Sequence, residues 1–208
     1  MVFSLYMISL VNLRMKQVNQ TGEKSMGNER LKMMIMAALF AAIMGIGAQI
    51  IIPIPPVPFT AQTLALALAA TILGKRYGTL AAALYVLIGA IGVPVFAGMK
   101  SGLGILLGPT GGYILSYIPV AFIIGWISEK GGFRAPAVVT ANIIGALAIL
   151  VIGTAWLKFM GNLSWTGAFA GGMLPFIITD CIKAVAAAVL GVMVRNRLAS
   201  ARLLPAAQ

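Results

Sequence analysis

Long apolar runs, separated by short polar or glycine- and proline-rich segments, occupy the chain from about residue 33 to residue 194. A helix that crosses a bilayer needs about 20 mostly apolar residues. The pattern predicts six such helices, of which the second is the shortest. Their predicted ranges are 33–52, 59–73, 78–96, 110–127, 136–157 and 171–194. We therefore expect an all-α integral membrane protein with six transmembrane helices.

Composition supports a membrane protein over a soluble domain. Hydrophobic residues make up 61% of the 208 residues and charged residues 9%, whereas a typical soluble domain has about 25% charged residues. The net charge is +11. Because these charges are sparse and lie between apolar runs, they indicate anchoring at a cytoplasmic membrane surface rather than binding to nucleic acid. The expected environment is a lipid bilayer, in a multi-pass arrangement.

The distribution of basic residues predicts an orientation. Cytoplasmic loops of membrane proteins carry an excess of Lys and Arg. With the N-terminus inside, twelve of the fifteen basic residues lie on the cytoplasmic side, two lie in outer loops and one lies within a helix. The cytoplasmic set is Arg14, Lys16, Lys24, Arg30, Lys32, Lys75, Arg76, Lys130, Arg134, Arg195, Arg197 and Arg202. Both termini are therefore expected to be cytoplasmic.

Three segments follow from this partition. Residues 1–30 are expected to form a poorly ordered extension, because the apolar run 1–13 is too short to cross a membrane and is followed by polar residues. Met26 is a second candidate start, so part of this arm could arise from a misassigned start codon. Residues 31–195 are expected to form the membrane domain and residues 196–208 a cytoplasmic tail.

The residue inventory excludes several kinds of catalytic site. The chain has no His, which excludes zinc-hydrolase sites, imidazole bases and Ser-His-Asp triads. Cys181 is the only cysteine, so no intrachain disulfide can form. Three of the four carboxylates lie outside the apolar runs, which disfavours paired-carboxylate catalysis. We expect no metal, no cofactor and no enzymatic activity.

The strongest candidate for a binding site is the pair Asp180 and Lys183, within the sixth predicted helix. A charged side chain at the centre of a membrane helix costs about 2.5–3.5 kcal/mol on insertion scales. The i, i+3 spacing places both charges on one helical face, where they can share a polar cavity. A ligand site is the favoured interpretation, and an ion pair that only stabilises helix packing is the alternative.

A glycine-rich segment between the third and fourth predicted helices is a second candidate. Six glycines occur at positions 98, 102, 104, 108, 111 and 112. The turn Gly-Pro-Thr-Gly-Gly at 108–112 precedes a helix, whose free N–H groups would suit an anion. It is not a nucleotide-binding loop, because the Gly-Lys-Ser/Thr ending is missing. An ordinary loop with glycines at tight turns explains the same pattern equally well.

Small residues four apart form two stripes on the first predicted helix, Ala37 with Ala41 and Ala38 with Ala42. Such stripes let another helix approach closely. The spacing does not decide whether that helix belongs to this chain or to another subunit.

Isolated polar side chains also occur within the predicted helices, at Gln62, Tyr85, Asn142 and Thr179. Each is interpreted first as a hydrogen-bond tie between helices and second as a ligand contact.

Taken together, several motifs resemble those of the BioY family, the substrate-binding (S) components of energy-coupling-factor (ECF) biotin transporters. They are Gly-Val-Pro-Val-Phe-Ala-Gly at 92–98, Gly-Pro-Thr-Gly-Gly-Tyr at 108–113, Pro-Phe-Thr-Ala-Gln-Thr-Leu at 58–64, and the pair Asp180/Lys183. The resemblance spans residues 31–194. It implies a six-helix biotin binder in a prokaryotic plasma membrane, without its own ATPase. Its implied partners are a membrane coupling subunit, which meets Ala37, Ala38, Ala41 and Ala42, and two cytoplasmic ATPases.

Biotin combines a ureido ring, an apolar bicycle and an anionic tail. Asp180 can accept the ureido N–H groups, whereas Lys183 can donate to the ureido oxygen or to the tail. A solitary carrier is the alternative function, and an intramembrane enzyme or a structural subunit are more distant ones. The expected binding residues are Asp180, Lys183, Gly98, Lys100, Thr110, Gly111, Gly112, Tyr113, Phe96, Gln62, Tyr85 and Asn142.

Overall fold

The protein is described by a computed structural model that covers residues 28–53, 56–201 and 203–204. Helices dominate these residues, and a two-stranded sheet accompanies them. In chain order the elements are α1 Asn28–Gln49, β1 Ile51–Ile52, β2 Phe59–Thr60, α2 Gln62–Ala90, α3 Leu103–Leu106, α4 Gly111–Lys130, α5 Ala135–Met160, α6 Trp165–Gly172 and α7 Leu174–Ser200. The helical class expected from the sequence is thus confirmed in its coarse form.

A short β-hairpin replaces the predicted ends of the first two membrane helices. Ile51 pairs with Thr60 and Ile52 with Phe59 in antiparallel register. The prediction had continued the first helix to residue 52 and begun the second at residue 59. Helix α1 instead ends at Gln49, and Ile52, directly before Pro53, is disfavoured in the helical conformation and lies in strand β1. The prediction missed the hairpin because its strands have only two residues each.

Helix α2 is broken at Gly74, which has φ 75° and ψ −175°. Glycine adopts this conformation at little cost because it has no Cβ. Beyond the break, a Cβ on Gly78 would lie only 2.7 Å from Cα of Ala70, whereas residues eight apart in a straight helix are about 12 Å apart. The second half of α2 therefore folds back against the first half, as the sequence predicted with separate helices at 59–73 and 78–96.

Two charged side chains from other helices satisfy the backbone at this break. Glu129, at the end of α4, accepts the backbone N–H of Lys75 at 2.9 Å and pairs with the Lys75 ammonium at 3.1 Å. Arg195, on α7, donates to the carbonyl oxygen of Ile72 and lies 3.4 Å from the centre of the Phe133 ring. The break thus connects α2 with α4 and α7.

Among the described residues, four helical segments are long and apolar enough to cross a membrane: Asn28–Gln49, Gly111–Lys130, Ala135–Met160 and Trp165–Ser200. Helix α4 packs against α2 and α5, and α7 packs against the same two helices. The main core lies among these elements and includes Leu66, Tyr117 and Val120. The last predicted helix, 171–194, begins later than expected because the short helix α6 precedes α7.

The two alanine stripes of α1 face different environments. Ala37 and Ala41 are buried, and Ala37 shares a core cluster with residues of α2. Ala38 and Ala42, about 100° further around the helix, are exposed. The first stripe therefore serves packing within this chain, while the second remains open to a neighbour.

Two helices extend across the expected segment boundaries. Helix α1 begins at Asn28, three residues before the expected start of the membrane domain, and α7 continues to Ser200, beyond the expected end at residue 195. The expectations for residues 1–27 and 205–208 lie outside the described residues.

Candidate functional site

A cavity of about 150 Å³ lies between the hairpin, the loop after α2, and helices α2, α4, α5 and α7. Its wall is mixed, with apolar and aromatic side chains and a few polar groups, as is typical of small-molecule sites. The lining residues are Pro56, Val57, Pro58, Phe59, Thr60, Gln62, Thr63, Phe96, Ala97, Lys100, Ile105, Thr110, Tyr113, Ile114, Tyr117, Ile149, Leu150, Phe176, Asp180 and Lys183.

The charged pair predicted from the sequence lies in this wall. Asp180 Oδ1 and the Lys183 ammonium form an ion pair across one turn of α7, and their side chains are 7% and 15% exposed. The hydroxyl of Thr63, near the start of α2, donates to Asp180 Oδ1 at 3.2 Å. The same hydroxyl accepts a hydrogen bond from Lys183 at 2.7 Å. Thr63 therefore connects both charges to the first half of α2.

All the hydrogen-bonding capacity of Lys183 is used within the protein. An ammonium group has three donors and no acceptor. Lys183 contacts Asp180, the hydroxyl of Thr63, and the carbonyl oxygen of Thr60 at 3.1 Å. It also lies 4.3 Å from the centre of the Phe59 ring. A ligand acceptor could reach this ammonium only by replacing one of these partners. Asp180, in contrast, makes both of its contacts through Oδ1, so that Oδ2 takes part in neither.

A second cationic side chain, Lys100, lines the cavity in a different environment. Lys100 is exposed and, within the described part of the chain, makes no ion pair. It closes a small loop with Phe96, whose backbone N–H donates to the Lys100 carbonyl at 3.0 Å. Phe96 itself is fully buried, with its ring against Gly89 of α2. The loop thus places one aromatic ring and one free ammonium at the same cavity.

Aromatic and amide groups form the remainder of the wall. Tyr117, on α4, donates its hydroxyl to Oε1 of Gln62 at 3.0 Å. Tyr113 lines the cavity with its ring, but its hydroxyl donates to the Gly172 carbonyl at 2.7 Å and lies 3.1 Å from the Thr154 hydroxyl. The Tyr113 hydroxyl is therefore committed to α5 and α6, and its ring is the part that faces the cavity.

Seven of the twelve expected binding residues line this cavity. They are Asp180, Lys183, Lys100, Thr110, Tyr113, Phe96 and Gln62. The other five do not line the cavity, and they have other roles in the structure.

Three of those five are glycines of the glycine-rich segment. Gly111 donates its N–H to the carbonyl of Gly108 at 3.0 Å, and a Cβ on Gly111 would overlap the Leu106 carbonyl. A Cβ on Gly112 would overlap Trp156, whose indole N–H donates to the same Gly108 carbonyl at 3.0 Å. These two glycines therefore allow close packing against Leu106 and Trp156, whereas the alternative expected from the sequence was a loop with glycines at tight turns. Gly98 has φ 70° and forms the bend of the 96–100 loop.

Tyr85 and Asn142 form ties between elements. Tyr85 is fully buried and donates its hydroxyl to the Val95 carbonyl at 3.1 Å, behind the Phe96 ring. Asn142 donates to the Thr71 hydroxyl at 2.9 Å and to the Val138 carbonyl at 2.8 Å. It lies at a second, much smaller cavity that also borders Asp180 and Lys183. Both residues follow the first interpretation given to isolated polar groups in the sequence.

Several residues of the site could not be predicted from the sequence. Thr63, Thr60 and Phe59 contact the charged pair, yet threonine and phenylalanine are unremarkable in an apolar run. Phe59 and Thr63 both fall within the segment 58–64, which supplied one of the family motifs. That motif was the available signal for these positions.

The chain is similar to known proteins over most of its described length. The profile of the BioY family matches residues 15–200. The biotin transporter BioY of Thermotoga maritima is 41% identical over 170 residues, which cover 80% of this chain and 97% of that protein. The biotin transporter BioY2 of Lactococcus lactis is 40% identical over 166 residues, which cover 80% of this chain and 91% of that protein.

The fold also matches a solved structure. The crystal structure of the S-component for biotin from an ECF-type ABC transporter superposes with a TM-score of 0.76 and 28% sequence identity. The match covers 81% of this chain and 93% of that one. Family profile, relatives and fold agree, and the chain belongs to the BioY family.

Proposed function

We propose that this chain captures biotin and delivers it inward as the S component of an ECF transporter. The observation that carries the proposal is the nearly buried Asp180–Lys183 pair in the wall of a cavity with a mixed apolar and polar lining. A charge pair in such a position marks a functional site in membrane proteins. The matched proteins are biotin transporters, so transport rather than enzymatic turnover is the function to expect.

The cavity suggests an orientation for biotin. Asp180 is the acceptor for the ureido N–H groups, because a carboxylate forms strong charge-assisted hydrogen bonds with such donors. Lys183 forms an ion pair with this carboxylate and has no spare donor of its own. Lys100 is exposed and without an ion pair among the described residues, so it receives the anionic tail. Phe96 and the Tyr113 ring contact the apolar bicycle.

The membrane topology follows the same proposal. The two halves of α2, divided at Gly74, count as separate spans, and with α1, α4, α5 and α7 they make six. Both termini face the cytoplasm, since the basic residues concentrate on that side. The location is a prokaryotic cell membrane, and the biotin cavity opens toward the outside.

Transport needs partners, because the sequence has no phosphate-binding loop. We propose a membrane coupling subunit and two cytoplasmic ATPases. Ala38 and Ala42 are the contact with the coupling subunit, since they form an exposed small-residue stripe on α1. Ala37 and Ala41 were also expected at this contact. Because they are buried inside the chain, they would contribute to it only through packing within this chain.

Titration calorimetry with two ligands tests the binding site. Asp180→Asn should weaken biotin and its neutral methyl ester alike, by about ten- to hundredfold, because a charge-assisted hydrogen bond is lost. Lys100→Ala should weaken biotin several-fold, as expected for an exposed charge, and leave the ester unchanged. Ile178→Val, on the lipid-facing side of α7, is the control. Unchanged affinity for both ligands in Asp180→Asn would overturn the proposed site.

Uptake of labelled biotin distinguishes an S component from a solitary carrier. Cells that produce this chain with the coupling subunit and both ATPases should accumulate biotin against a gradient. Cells that produce the chain alone should at most equilibrate it. Equal accumulation in both would support the solitary carrier.

A further inference from the structure

The last turn of α1 is attached to both segments that cover the cavity. The Gly47 carbonyl accepts the N–H of Ala61, directly after strand β2, at 3.1 Å. Gln49, the final residue of the helix, reaches the loop on the other side. Its Nε2 donates to the Phe96 carbonyl at 3.1 Å, and its Oε1 accepts the N–H of Met99 at 3.0 Å.

The Gln49 carboxamide therefore holds both ends of the bend that places Phe96 and Lys100 at the cavity. A third bond, from Nε2 to the Gly45 carbonyl at 3.2 Å, fixes the side chain to its own helix. Only a carboxamide of this length supplies a donor for the Phe96 carbonyl and an acceptor for the Met99 amide at once.

The conformation of Met99 shows that the loop needs this support. Met99 has φ 57°, which is uncommon for a residue with a side chain. Strained residues of this kind persist where surrounding contacts determine them, and they cluster at ligand sites. The N–H of Met99 donates its hydrogen bond to Oε1 of Gln49. The Tyr85 hydroxyl donates to the carbonyl of Val95, directly before the same loop, but not to Met99.

We infer that Gln49 is a positioning residue for ligand capture, which holds the 96–100 loop in its binding conformation from the end of α1. The inference rests on the proposed function, since the ligand in question is biotin. Gln49 does not line the cavity and acts through Phe96 and Lys100. The helix that presents Ala38 and Ala42 on its exposed side thus also holds part of the substrate site.

Two substitutions at Gln49 test the inference. Gln49→Glu keeps the acceptor for Met99 but places a charge against the Phe96 carbonyl, and Gln49→Met removes both bonds at similar length. Each should weaken biotin about tenfold, mainly through faster dissociation, since one or two hydrogen bonds are lost. Ile50→Val, at the neighbouring exposed position, should bind as the unmodified protein does. The thermal unfolding midpoint of the detergent-solubilised protein should remain unchanged in all three.

A double substitution provides the readout that a purely structural role would not change. If Gln49 acts through the loop, Gln49→Met combined with Lys100→Ala should weaken biotin less than the product of the two separate effects. A full product, or unchanged dissociation in both Gln49 variants, would overturn the inference, as would a loss of affinity that follows a fall in the unfolding midpoint. Absence of biotin binding in the unmodified protein would instead contradict the proposed function.

Discussion

Lys183 donates a hydrogen bond to the carbonyl oxygen of Thr60 at 3.1 Å, across the cavity from α7 to the hairpin. The same ammonium pairs with Asp180. One side chain therefore both pairs with the Asp180 carboxylate and bonds to the strand β2. Loss of the ammonium should therefore affect the stability of the protein as well as its affinity for the ligand.

The first prediction concerns this ammonium. Lys183→Met should lower the free energy of unfolding by about 3–5 kcal/mol, because a buried carboxylate is left without its partner. The double variant Asp180→Asn/Lys183→Met should recover part of this loss, since the unpaired charge is removed. Unfolding in mild detergent, followed by circular dichroism, measures both. A double variant no more stable than Lys183→Met would contradict the explanation.

The second prediction separates the ring of Tyr113 from its hydroxyl. Tyr113→Phe should lower stability by about 1–2 kcal/mol, since the buried Gly172 carbonyl loses its donor. Biotin affinity should change no more than a few-fold, because the ring that lines the cavity is kept. Tyr113→Ala should reduce both. Calorimetric binding beside thermal unfolding provides the comparison, and a large affinity loss in Tyr113→Phe would mean that the hydroxyl contacts the ligand.

The third prediction tests the break in α2. Gly74→Ala should destabilise the protein by about 1–2 kcal/mol from its positive φ alone, and by more because the new Cβ would lie 2.5 Å from Glu129 Oε1. Gly104→Ala is the matched control, because that position has open space around it. The midpoints of thermal unfolding should differ clearly between the two, and equal midpoints would contradict the role of the break.

The fourth prediction distinguishes the two alanine stripes. Ala38→Phe should leave folding and biotin binding intact but abolish uptake by the complete transporter, because it fills the exposed stripe. Ala41→Phe should instead destabilise the isolated protein, since that side chain is 3% exposed and overpacking typically costs about 1–3 kcal/mol. Leu39→Phe, at an exposed neighbouring position, controls for bulk. Normal uptake with Ala38→Phe would exclude that face as the coupling contact.

The charged pair of the site could be predicted from the sequence because charge within an apolar run has few explanations. Asp180 and Lys183 are conspicuous because a charged side chain within a membrane helix is energetically costly. Their i, i+3 spacing places both on one helical face. The polar partners did not stand out in the same way. Thr63 becomes significant only when α2 and α7 pack together, and a tertiary contact of this kind leaves no trace in local pattern.

Glycines were harder to interpret than charges, since the same residue serves close backbone approach to a ligand and close packing of helices. The sequence left a ligand contact and a tight turn open for Gly111 and Gly112, whereas their contacts with Leu106 and Trp156 show close packing. The hairpin was missed for a different reason. Strands of two residues, such as β1, are too short to produce an alternating pattern.

The first half of α2 has a consequence for where the substrate resides. Residues 62–73 form a helix of roughly 18 Å, although the hydrocarbon layer of a bilayer is about 30 Å thick. The missing length is occupied by the hairpin and the cavity beneath it. Biotin would therefore reside within the depth of the bilayer, in space that a helix of full length would have filled. The short first half of α2 thus leaves room for the cavity.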